Sequence, residues 1–124
     1  MSMKLKTLRQ ALKVLAEDTR LRIVNILNYR EITVNEICSV LGINQSAASK
    51  HLVRLRLLRT VVDRRVKNFV YYSLNLDSEQ NQVLRFILSK FEDLEVFKKD
   101  RIKLNKIKQK KHKKGGEHGR ASKG

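Results

Sequence analysis

Apolar residues recur at three- and four-residue spacing along two short runs between Thr33 and Leu58, TVNEICSVLGINQSAASKHLVRLRLL. In the first run Val34, Ile37, Val40 and Leu41 form a helical stripe, and Thr33 and Glu36 have the spacing of a capping box at its start. Gly42 stands where this helix must stop, because the residue past a helix end often turns left-handed, which glycine tolerates best. Asn44 suits the N-cap of a second helix beginning at Gln45. Ala48, Leu52 and Leu55 share one face of that helix, so Ser46, Ser49 and Lys50 point away from it. Two short helices about a tight turn, the second polar and basic toward solvent, have the pattern of a helix-turn-helix.

The flanking sequence supplies the rest of a small domain. Leu5, Leu8, Leu12 and Leu15 predict an amphipathic helix over residues 5–16. Asp18 is placed to cap a second helix, TRLRIVNILN, with Leu21, Ile23, Val24 and Leu27 on its buried side, and Tyr29-Arg30-Glu31 reads as a turn. After Leu58 the period shortens. Thr60–Asp63 and Asn68–Leu74 are rich in β-branched and aromatic residues, which predicts two strands, with Arg64-Arg65-Val66-Lys67 as a basic hairpin tip. Asp77 or Ser78 starts a last helix, whose stripe is Val83, Phe86, Ile87, Phe91 and Leu94. That stripe either packs on the first helix or forms, with Leu5, Leu8 and Leu12, a dimer interface. The dimer is the expectation, since a helix-turn-helix gains affinity by pairing with a second half-site. The predicted fold is mainly α with a small β-hairpin, a winged helix-turn-helix of order α-α-α-α-β-β-α dimerising through its first and last helices. The domain is expected over residues 1–100. Periodicity weakens from Lys98, and a basic, disordered tail is expected over residues 101–124.

Charge sharpens the choice of partner. Lys and Arg number 28 against 12 acids, a formal net charge of +16, with 12 of the basic residues lying between Lys98 and Gly124. Such an excess beside a groove-reading motif points to nucleic acid, here double-stranded DNA. No phosphate-cradling glycine loop and no nucleophile–base constellation is found, so an enzyme is not expected. The N-terminus lacks the apolar run of a signal peptide and no segment approaches a membrane span, so a cytoplasmic protein without membrane contact is expected. The rival class is a general nucleic-acid binder of nucleoid type, driven by the basic tail. An RNA-binding version would need aromatic stacking platforms, and the seven aromatics fall at core and wing positions.

The order of elements also carries residues of a known family. Ala16-Glu17-Asp18-Thr19-Arg20-Leu21-Arg22-Ile23 resembles the ADPTRLRIL signature of the ArsR/SmtB winged-helix repressors, although the proline is absent. Leu41–Leu52, LGINQSAASKHL, is similar to the family's recognition segment. Arg64-Arg65 followed by Phe69–Leu74, FVYYSL, is similar to its wing and return strand, with Lys67 in place of the wing-tip glycine and Asn68 available for the left-handed position. The resemblance covers roughly residues 5–95, and implies a homodimer that sits on operator DNA and releases it when a signal binds.

On that pattern Gln45, Ser46, Ser49 and Lys50 are the expected groove-facing residues, since glutamine can pair with adenine, lysine with guanine, and serine hydroxyls can serve bases or phosphates. His51 and Arg54 flank them, Arg54 as the phosphate candidate and His51 as either a DNA contact or a partly buried structural residue, and Arg64, Arg65 and Lys67 on the wing are expected to reach the flanking backbone or minor groove. No metal site and no cofactor is expected. Thr33 and Asn35 stand where many relatives carry Cys-x-Cys, and no histidine lies between Ser78 and Lys111 for the last-helix site. Cys38 resembles one thiol of a two-cysteine redox switch whose second cysteine is missing, and its plain role is packing. The inducer is left open.

Overall fold

A computed structural model describes residues 4–107. The order is α1 (Leu5–Leu15), α2 (Asp18–Leu27), β1 (Ile32–Thr33), α3 (Val34–Leu41), α4 (Gln45–Leu57), β2 (Val61–Val66), β3 (Phe69–Leu74), α5 (Glu79–Lys90) and α6 (Glu95–Asn105). The three strands form one antiparallel sheet in the order β1-β3-β2. The winged helix-turn-helix is therefore present, with two elements the sequence did not announce.

The first addition is β1, which pairs Ile32 with Tyr72 and Thr33 with Tyr71. Two residues are too few for a period-2 pattern. The second is α6. A single last helix was expected to run through Leu94, but it ends at Lys90 and a new helix begins at Glu95. The core-facing residues give the reason. α5 buries Leu84 and Leu88, whereas α6 buries Phe97, Asp100 and Leu104. On one continuous helix Leu88 and Leu104 would sit roughly 160° apart at 3.6 residues per turn. Breaking the helix at Phe91–Leu94 lets both sets face inward. α6 also crosses the expected domain boundary at residue 100, and the basic tail beyond residue 107 lies outside the described residues.

Helix ends follow local chemistry. Thr33 and Glu36 form the capping box, with Glu36 N–H donating to Thr33 Oγ1 at 3.2 Å and Thr33 N–H donating to Glu36 Oε1 at 2.9 Å. α2 is capped by Glu17, whose carboxylate accepts from Arg20 N–H at 2.7 Å, while the expected cap, Asp18, is already helical. On α2 the buried run is Ile23 to Leu27, and Leu21 is only half-buried. On α1 the core is met by Ala11 and Val14, so Leu5, Leu8 and Leu12 are left facing solvent.

The main core joins Ile23, Ile26, Ile37, Val40, Leu52, Leu55, Leu84 and Phe97 from five helices. α6 is held over α2 and α3 by polar contacts as well. Arg22 donates from Nε and Nη2 to the two oxygens of Asp100, both at 2.9 Å, and Arg30 Nη2 donates to the Ile107 carbonyl at 2.9 Å. Arg101 lies over the Tyr29 ring at 5.5 Å. Asp100 is 1% exposed. This buried carboxylate interrupts the apolar period, in line with the weakening seen from Lys98.

Candidate DNA-binding surface

The start of α4 is fixed by the turn before it. Gly42 takes φ +70°, and its N–H and that of Ile43 both donate to the Cys38 carbonyl, which closes α3 and turns the chain. Asn44 then accepts from Ala47 N–H at 2.8 Å and starts α4. Ala48, Leu52 and Leu55 bury one side of α4 against the core. Gln45, Ser46, Ser49, Lys50 and Arg54 are exposed, and none has a side-chain partner among the described residues. Together they present amide, hydroxyl and cationic groups along one helix, the set that reads base edges and phosphates in a major groove. His51 sits differently. It is half-buried, with Nδ1 3.8 Å from Glu17 Oε1, against the α2 cap.

The wing is a two-residue hairpin in which Val66 pairs with Phe69 across Lys67-Asn68. Lys67, not Asn68, takes the positive φ, at 57°. A positive φ at the first loop position suits the right-handed twist of the flanking strands. Because β2 runs to Val66, Arg64 and Arg65 belong to the strand and not to the tip. Alternation separates them. Arg65 is exposed, whereas Arg64 turns back and makes a fork to Glu31, Nε to Oε2 at 2.7 Å and Nη2 to Oε1 at 2.9 Å. Arg64 also stacks over Tyr71, 5.2 Å from the ring centroid. Its pKa is raised by the bond to Glu31 above all, so the cation is held within the fold.

Polar contacts from α5 brace the connection between α4 and the wing. The Gln80 amide donates to the Leu58 carbonyl. Asn81 Nδ2 donates to Thr60 O at 2.8 Å and to Asn75 O at 2.6 Å, and Asn75 Nδ2 donates to Arg59 O at 3.1 Å. Arg59 has φ +62°, an uncommon conformation for its residue type, and these bonds lie around it. Arg56 pairs with Asp63 at 3.1 Å from α4 to β2. Gln80, Asn81, Asn75 and Glu31 were not singled out from sequence. Each acts on a partner distant in the chain, and only Glu31 lay in a stretch read from sequence as a turn, at the end of Tyr29–Glu31.

Among the described residues no three of His, Cys, Asp and Glu are grouped to hold a metal ion. Cys38 is half-buried on α3 beside the core, and burial pushes its thiol pKa up, opposite to the shift that activates a thiolate. The expected interface residues divide. Phe86, Phe91 and Leu94 are exposed with Leu5, Leu8 and Leu12, whereas Val83 and Ile87 are half-buried. α1 packs directly on α5, so the exposed residues of both helices lie on a paired element. No helix among the described residues is long and apolar enough to cross a membrane.

This architecture has relatives. Residues 17–61 match the family described as bacterial regulatory protein, arsR family. The transcriptional repressor SdpR of Bacillus subtilis is 32% identical over 78 residues, spanning 60% of this chain and 87% of that protein. HlyU from Vibrio cholerae has the same fold with a TM-score of 0.66 at 30% identity, over 73% of this chain and 98% of its own. Mb0332 from Mycobacterium bovis, solved as a homodimeric winged helix-turn-helix DNA-binding domain, gives 0.61 at 27% identity over 73% and 84%. Across curated relatives the chain spans between 46% and 87% of their length. The chain belongs to the ArsR family of bacterial regulatory proteins and is a winged helix-turn-helix DNA-binding transcription regulator.

Proposed function

We propose that the protein is a cytoplasmic, homodimeric repressor that occupies an operator with two copies of α4 in successive major grooves. The observation that carries this is the solvent face of α4. Gln45, Ser46, Ser49, Lys50 and Arg54 are all exposed and uncommitted on a helix whose other face is locked in the core. Gln45 and Lys50 are assigned to base edges, the two serines to bases or phosphates, and Arg54 to the backbone. Arg65 and Lys67 on the wing are assigned to flanking phosphates or the minor groove.

Dimerisation is assigned to the outer faces of α1 and α5. Leu5 is 76% and Phe86 62% exposed, and Leu8 and Leu12 on α1 and Phe91 and Leu94 in the connection after α5 are exposed with them, apolar surface of the kind that marks an interface. A homodimer presents two reading helices about one helical turn of DNA apart, roughly 34–36 Å. Release does not use a Cys-x-Cys thiolate site, since Thr33 and Asn35 offer no sulfur. The name of SdpR supports repression as the outcome of binding.

Light scattering and operator binding of Phe86→Glu test the assembly. A monomer whose operator affinity falls together with its dimer content supports the proposal. A Phe86→Glu variant that stays dimeric with wild-type affinity would place the interface elsewhere.

A further inference from the structure

We infer that Arg64, although on the wing, does not touch DNA but is a positioning residue that, with Glu31, sets the wing against the helix-turn-helix. This rests on the operator-binding role proposed above and assigns one arginine of the wing a different task within it.

Three contacts fix the guanidinium. Its two N–H groups meet both oxygens of Glu31 at 2.7 and 2.9 Å, the fork geometry that lysine cannot reproduce. Its plane lies over Tyr71, its own cross-strand partner. Both side chains of the pair are about three-quarters removed from water. The fork occupies Nε and Nη2, so a phosphate could meet only the Nη1 side of a cation whose charge Glu31 already neutralises, whereas Arg65, next in sequence and exposed, has no such competitor.

The contacts also lead somewhere. Tyr71 pairs across the sheet with Thr33, the residue that caps α3, and Glu31 immediately precedes β1. Wing strand β2, return strand β3, β1 and the first helix of the helix-turn-helix thus meet around one guanidinium. β1 contributes only two residues of ladder. The ion pair is the side-chain link from Glu31, just ahead of β1, to the outer strand β2, which β1 does not itself touch. Loosening it leaves the more exposed Arg56–Asp63 pair to hold β2 to α4, and lets the hairpin shift, Arg65 and Lys67 with it.

The sign of one substitution separates positioning from direct contact. If Arg64 bound phosphate, Glu31→Gln would remove a competing negative charge and raise operator affinity. If the pair positions the wing, Glu31→Gln lowers affinity by about tenfold, a mid-range value for a coupled pair. Arg64→Gln then lowers it equally, and the double variant is no worse than either single one. Arg64→Lys, which keeps the charge but loses the fork, is as weak as Arg64→Gln. The three single variants and the double one are to be measured as full-length protein on operator and random duplex, well below their melting temperatures. Amide exchange over residues 69–74 in the free protein is followed alongside.

Higher affinity in Glu31→Gln, additive losses, or wild-type binding by Arg64→Lys would each overturn the inference. If Glu31→Gln fails to fold, Arg64→Lys still decides. Were the wild type itself to show no preference for operator, the proposed function would fail. Faster exchange of the wing in Glu31→Gln would then still support the strut, and unchanged exchange would remove it.

Discussion

Replacing Asp100 by Asn isolates the contact that fastens α6 to the domain. The carboxylate is buried, and both its oxygens receive N–H groups of Arg22 at 2.9 Å. Arg22 Nη2 also lies 3.4 Å from the Leu41 carbonyl, beside the turn of the helix-turn-helix. An asparagine of the same size accepts at only one oxygen, places its own NH2 against the guanidinium, and leaves the cation only the weaker attraction of Asp18. Breaking a fully buried pair from one side costs about 3–5 kcal/mol. The Arg22 side chain is a quarter exposed and recovers some hydration, so the lower end, about 3 kcal/mol, is expected. The raised pKa of Arg22, caused first by its bond to Asp100, has the same sign. With a urea slope of about 1.5 kcal/mol per molar for a domain of this size, the midpoint should fall by about 2 M. Urea denaturation at one fixed protomer concentration measures this, because assembly itself shifts apparent stability. The apolar double variant Arg22→Met with Asp100→Leu should recover at least half of the loss, since a well-packed apolar pair often equals a buried ion pair. A midpoint shift below about 0.5 M in Asp100→Asn, within the range of an exposed pair, would refute the reasoning.

Three further outcomes follow. Gly42→Ala meets no atom within 4 Å of its new Cβ, so its cost is the left-handed backbone alone, about 1–2 kcal/mol by thermal or urea unfolding. Cys38 should alkylate more slowly than free cysteine at neutral pH, with the rate climbing at and above the ordinary thiol range, because burial raises its pKa. By linkage, the unfolded thiol ionises first, so any stability tied to Cys38 is intact below that range and declines as pH rises through it. Alkylation faster than free cysteine at pH 7 would contradict the burial. Ending the chain at Lys108 removes six basic residues and one acid. This should flatten the salt dependence of DNA binding by about 0.9 per lost phosphate contact while leaving operator preference intact. An unchanged slope would show that the tail makes no such contact.

What the sequence announced was whatever local chemistry decides. Thr33 with Glu36, Gly42 and Asn44 act within three or four residues of themselves, and each ended or started a helix where expected. Ala48, Leu52 and Leu55 were legible because a buried face needs only spacing. The misses share a different cause. α6 hides its inward face behind Asp100, a charge that becomes sensible only once Arg22, 78 residues away, is beside it. Arg64 read as a wing cation because Glu31 lies 33 residues earlier, and nothing local marks the two as partners. Lys67 occupies the turn position expected for Asn68 because β2 runs on to Val66, which fixes the two-residue loop. Glu17 capped α2 in place of its neighbour, an error of one residue between two carboxylates. The exposed face of α4 was therefore visible in the chain, while the long-range contacts around it were visible only in the fold.

The measurement that bears most directly on the account is fluorescence anisotropy of the whole protein on its own promoter fragment and on a scrambled duplex, over a salt series. A site-specific regulator should favour its operator by about 10³–10⁷, and part of that preference should survive as salt rises. Equal affinity for both duplexes, collapsing together with salt, would contradict the account and leave only charge-driven binding to DNA.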